Sequence, residues 1–145
     1  MNLRITLSVL LMTIFIGLYG QDFEKVSQPD QEKLTAAKKF ANDYLLILKA
    51  GNYYKFQDDE ATDILKNMLT EPMQKLGYSQ IKAMYGDYQS LEFTEGWKQK
   101  SSGFLVYRMK GKFERSEDKL EIRVTTDSQG KIAGFFVKPW TDALQ

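Results

Sequence analysis

The chain has 145 residues, 20 basic against 19 acidic, and contains neither histidine nor cysteine. Without cysteine there is no disulfide, no thiolate metal site and no lipid-modified N-terminal cysteine; without histidine there is no Ser-His-Asp or Cys-His machinery and no His-ligated zinc or iron. The charges are nearly balanced and mixed along the chain, so there is no basic stripe for polyphosphate and nucleic acid is not an expected partner.

Residues 1–20 read as an export signal. Arg4 is the one charge, an apolar run extends from Ile5 to Leu18, and Gly17-Leu18-Tyr19-Gly20 closes the segment before Asp22. The run is shorter than the roughly 20 residues a membrane-spanning helix needs. Cleavage after Gly20 is therefore expected, giving a secreted or periplasmic domain with no membrane span after cleavage. Residues 21–33 read as a polar leader with little to order them, residues 34–140 as a single domain, and residues 141–145 as a C-terminal tail.

Pro29-Asp30-Gln31-Glu32 opens a helix with acids where the dipole favours them. Leu34, Ala37, Ala41, Tyr44, Leu45 and Leu48 then recur at helical spacing, widened by Phe40 and Ile47, until Gly51-Asn52 ends the run. A second helix is expected from Asp58-Asp59-Glu60, with Ala61, Ile64, Leu65, Met68 and Leu69 on its apolar side. Thr70-Glu71-Pro72 starts a third, carrying Met73, Leu76, Ile81 and Met84 towards Gly86. After Gly86 the period becomes alternating. Four strands follow, around Leu91 and Phe93, around Leu105, Tyr107 and Met109, around Leu120, Ile122 and Val124, and around Phe135 and Val137. Their connectors are too short for parallel crossovers. The expected fold is α+β: three N-terminal helices packed on a four-stranded antiparallel sheet.

Four stretches resemble the nuclear-transport-factor-like (cystatin-like) superfamily. They are the helix of residues 37–53 ending in Gly51-Asn52-Tyr53, then Met68-Leu69-Thr70-Glu71-Pro72, Tyr85-Gly86-Asp87-Tyr88 and Gly130-Lys131-Ile132-Ala133-Gly134-Phe135. More narrowly, they are similar to a secreted family of unknown function found alone or attached to α/β hydrolases. The resemblance implies a curved, cone-like sheet wrapped round the long helix, with a pocket at its wide end. Its members include isomerases, dehydratases and many non-enzymatic binding modules, so the fold does not choose among them.

Few residues carry chemistry. Alternation puts Glu95 in register with Leu91, Phe93 and Trp97 on the inward face. It is the one carboxylate there, a catalytic candidate as a general base with Tyr107 or Tyr44 as hydrogen-bond donor. Asp58-Asp59-Glu60 with Asp63 lacks the alternation and the turn glycine of a calcium loop, and serves a helix start instead. No metal or cofactor is expected. Tyr44, Tyr85, Trp97 and Tyr107 combine a ring with a polar tip and are candidates to line a ligand-binding pocket. Phe104, Val106, Ile132 and Phe136 share the parity of Arg108, Lys110 and Lys138, which points them away from the helices as a candidate interface.

These features point to an exported non-enzymatic binding or scaffolding domain, a homodimer with an aromatic pocket for a small apolar ligand. The alternatives are a cofactor-free isomerase or lyase acting through Glu95, and an accessory subunit of another envelope protein.

Overall fold

The computed structural model describes residues 22–116 and 120–144. The expected signal segment and its cleavage site lie outside the described residues. The elements run β1 (Phe23–Val26), α1 (Gln31–Lys49), α2 (Asp63–Met68), α3 (Glu71–Tyr85), β2 (Tyr88–Gln99), β3 (Leu105–Phe113), β4 (Leu120–Thr126) and β5 (Ile132–Pro139). All five strands form one antiparallel sheet in chain order.

The α+β class stands, but three N-terminal helices on a four-stranded sheet is corrected. A strand precedes the helices, and the sheet has five strands. The supposed leader supplies it: Phe23 to Val26 pair with Gln99 to Gly96. Asp22 fixes the end of this ladder, accepting from the Ser101 backbone N–H at 3.1 Å and from Ser101 Oγ at 2.6 Å.

Asp30 caps α1, its carboxylate accepting from the Lys33 N–H at 3.0 Å. Leu34, Ala37, Phe40, Ala41, Tyr44, Leu45 and Leu48 are buried from this helix. They meet Tyr107, Met109, Phe113, Leu120, Ile122, Val124 and Phe135 in one apolar cluster. Burying a side chain of this size stabilises by about 1.5–3 kcal/mol, so the seam between α1 and the sheet is the main source of stability.

The other two helices differ from expectation. Residues 53–60 are not helical; α2 begins only after its Thr62 cap, and Ala61 forms a parallel bridge to Ile132. The buried residues of α3 are Gln74, Tyr78 and Ile81, leaving Met73, Leu76 and Met84 about half exposed. Gln74 explains this rotation. Its amide accepts from the Tyr54 N–H at 2.8 Å and donates to the carbonyls of Tyr54 at 3.0 Å and Leu69 at 2.7 Å. A buried amide that is fully hydrogen-bonded joins the irregular segment to α3.

Besides a shift at Gln89, between Tyr88 paired with Phe113 and Ser90 paired with Lys112, two register shifts decide which side chains face the helices. On β2, Phe93 pairs with Met109 but Glu95 pairs with Arg108, so Thr94 is an extra residue in the ladder. On β5, Gly134 pairs with Thr125 and Ile132 with Thr126, which makes Ala133 extra. Each bulge reverses the parity of every residue beyond it.

Candidate functional site

The first bulge turns Glu95 and Trp97 outward, against the expectation that both face inward. Gly96 takes the inward place beside Tyr107, while Glu95 and Trp97 stand beside Arg108 and Val106 on the opposite face. The second bulge turns Ile132 inward, where it is 5% exposed and belongs to the core cluster. Of the four expected interface residues, Val106 and Phe136 sit on the outward face in the ladder. Phe104, just before β3, is half-buried, and Ile132 is core.

The four aromatic candidates do not converge. Tyr44 and Tyr107 are buried in the core, Tyr85 is half-buried at the end of α3, and Trp97 faces the other way. Tyr44 packs on Phe135 with ring centroids 4.6 Å apart, and burial pushes its phenol pKa up. The Tyr107 hydroxyl and the Thr126 Oγ1 are both buried without a hydrogen-bond partner among the described residues. The cleft beside Tyr44, bounded by Leu48, Met73, Tyr78, Phe135 and Val137, has a volume of about 30 Å³. That is room for a water molecule, not for a small apolar ligand. A larger open groove of about 400 Å³ lies between Thr35, Lys38 and Asn42 on α1 and Ser90 and Leu91 on β2; none of the predicted residues lines it.

The chemistry concentrates instead on the outward face of the sheet. Arg108 is 0% exposed, and so is Glu121. Arg108 Nε donates to Glu121 Oε1 at 3.1 Å and Nη2 to Oε2 at 2.9 Å, a two-pronged carboxylate contact. Arg123 donates to the same carboxylate through Nε, and Arg108 donates through Nη1 to Glu95. Lys25 of β1 closes the chain of charges, 3.0 Å from Glu95 Oε2.

Position in the ladder explains the network. Arg108 and Arg123 are direct cross-strand partners, a repulsive arrangement on its own. Glu121, one step away on the same face, serves both guanidinium groups. Its own cross-strand neighbours are Lys110 and Lys138, so the charges alternate across three strands.

The rings lie over the charges. Trp140 stands 4.2 Å from the Arg108 guanidinium and 4.7 Å from the Lys110 ammonium. Phe136 stands 4.6 Å from the Arg123 guanidinium and 5.7 Å from the Lys138 ammonium. The tail folds back over β4 to make this possible, and the Thr141 carbonyl accepts from Arg108 Nη2. Trp97 completes the row with Lys25 6.0 Å from its ring.

Electrostatics follow from this packing. Burial pushes the Glu95 carboxyl up, but Lys25 and Arg108 outweigh it and hold the pKa below the ordinary glutamate value. Burial likewise pushes Glu121 up and is outweighed by Arg108 and Arg123. A general base needs the opposite, a carboxylate raised towards neutrality, so Glu95 is built as a structural counter-ion. Burial and the nearby Arg123 hold Lys138 below the usual lysine value. Among the described residues no three carboxylates cluster as metal ligands, and no helix is long and apolar enough to cross a membrane.

Sequence reasoning placed Arg108, Lys110 and Lys138 on the outward face but passed over Glu121, Arg123 and Trp140. The signal was present as charges alternating with apolar residues in both Val106-Tyr107-Arg108-Met109-Lys110 and Leu120-Glu121-Ile122-Arg123-Val124. Fold and site together define an α+β domain with one sheet face covered by helices and the other carrying a buried ion network roofed by aromatic rings. Comparison of the chain with family models, curated proteins and solved structures finds no match.

Proposed function

We propose that this is an exported, non-enzymatic binding module that engages a partner protein through the outward face of its sheet. The observation that supports the reading is the network itself: Arg108, Glu121 and Arg123 are ion-paired and buried beneath Trp140 and Phe136. The buried arginines position the Trp140 and Phe136 rings from beneath, and rigid aromatic side chains whose ordering cost is already met by folding are typical anchors of an interface. Trp97 and Phe104, both half-buried, extend the apolar part of this surface, with Val106 buried beneath. The absence of a ligand-sized cavity at the four aromatic candidates moves the reading from a pocket to a surface. The reading as an enzyme acting through Glu95 loses support because that carboxylate is committed to Arg108 and Lys25.

Lysine-specific cross-linking in the native compartment, followed by peptide mapping, tests this. Cross-links should concentrate on Lys25, Lys110, Lys112 and Lys138, and should disappear in a Phe104→Asp, Phe136→Asp variant that keeps its circular dichroism spectrum. Links between two copies of the chain would identify the partner as itself, and links to another chain as an accessory role. An even spread over Lys38, Lys75 and Lys82 on the helices sinks the proposal.

A further inference from the structure

We infer that the partner taken by the outward face is an acidic protein segment, whose carboxylates seat on Lys110 and Lys138 beside the Trp140 and Phe136 rings. This rests on the reading of that face as the binding surface. Among the described residues the outward face carries six cations, Lys25, Arg108, Lys110, Lys112, Arg123 and Lys138, against three carboxylates. Glu121 serves Arg108 and Arg123, Glu95 serves Arg108 and Lys25, and Glu92 stands cross-strand from Lys110. Lys110 and Lys138 flank Glu121 in the ladder but make no ion pair among the described residues, and their recorded contacts are to rings. Positive charge is therefore left over on the solvent side of the network. The lowered pKa of Lys138, caused by burial and then by Arg123, agrees with a site that gains from an incoming anion.

The spacing favours a chain over a small anion. Lys110 and Lys138 lie two strands apart, about 10 Å at the backbone, and each lies over a different ring. Side chains on one side of an extended segment recur at every second residue, about 7 Å apart, and the long lysine and glutamate side chains span the remaining difference. The rings favour a protein over a lipid surface. Trp140 and Phe136 are held against guanidinium groups and do not project as wedges for acyl chains.

The chain contains two tryptophans, Trp97 and Trp140, and both belong to this face, so intrinsic emission reports on it directly. Titrating the protein with a tryptophan-free octaglutamate peptide at low salt should give a saturable change in emission. Raising salt from about 50 to about 200 mM should weaken binding by about tenfold, because the contacts are exposed ion pairs. Lys110→Gln with Lys138→Gln should weaken it by about tenfold as well. No emission change at low salt, or an unchanged titration in the double variant, overturns the inference. A response to phosphatidylglycerol vesicles without a response to the peptide overturns it in favour of a lipid surface. If the cross-linked partner survives the double glutamine substitution, the binding face stands and the acidic partner falls. If cross-links never concentrate on this face, both fall.

Discussion

Arg108 and Glu121 meet in a two-pronged ion pair on the face of the sheet turned away from the helices, and both are fully buried. Burying such a pair contributes little net stability, but removing one partner leaves the other charge without compensation. Glu121→Ala should therefore cost about 3–5 kcal/mol, since it removes the carboxylate shared by two buried guanidinium groups that are direct cross-strand neighbours. Replacing Arg108, Glu121 and Arg123 together by Met, Leu and Leu should cost far less and could even stabilise. Urea denaturation of the single and triple variants measures the difference. Equal losses in both would show that the charges are not coupled.

The same network sets the response to acid. Glu95 and Glu121 have folded pKa values below the ordinary glutamate value of 4.5, because their cation partners outweigh burial. Below 4.5 the unfolded chain binds more protons than the folded one, so stability rises with pH in that window. The contribution is complete above the unfolded value and is lost as pH falls through the folded values. The urea midpoint should be insensitive to these groups between about pH 7 and pH 5, and should fall below about pH 4.5. Glu121→Gln should start lower at pH 7 and decline less on acidification. A wild-type midpoint that falls already between pH 7 and 5 would place the acid sensitivity elsewhere.

Gly111 tests the packing on the other face. It pairs with Leu91 and Leu120, and a Cβ there would come within 2.5 Å of Ile122 Cδ1 and 3.1 Å of the Phe113 ring. Both neighbours are core residues with little room to move. Gly111→Ala should destabilise by about 1–3 kcal/mol through overpacking. Thermal unfolding of that variant against Gly130→Ala separates the effects. Gly130 has no atom within 4 Å of an added Cβ, so its cost comes from its φ of +85° alone.

The parts of the fold that the sequence made legible are those with a local period. The stripe of α1 and the alternation of β3 and β4 are uninterrupted, so the residues on the shared face between α1 and the sheet follow from spacing alone. β1 has four residues with a polar middle, Glu24-Lys25, and a partner some seventy positions away; nothing local announces it. The faces of Glu95, Trp97 and Ile132 were inverted because a bulge leaves the composition unchanged and shows only in the pairing. The ion network was hidden for a related reason. Alternation assigns charges to the face away from the helices, correctly for Arg108, but burial there depends on Trp140 folding back across β4.

The bulge at Thr94 gives the last prediction. Phe93 pairs with Met109 and Glu95 with Arg108, so Thr94 is the one residue between them with no place in the ladder. Its removal leaves Phe93 inward, Glu95 outward and every partner unchanged. Deleting Glu92 shortens the strand by the same length, but the ladder is then regular only with Phe93 outward and Thr94 in its inward place. That exposes a ring packed against the core and forfeits about 1.5–3 kcal/mol of burial, while Thr94 brings a hydroxyl inward. The Thr94 deletion should therefore unfold cooperatively and keep the Trp97 and Trp140 emission of the native face. The Glu92 deletion should unfold at markedly lower urea or fail to fold. The reverse order of stability would mean that the bend at Thr94 matters more than the identity of the residues facing the helices.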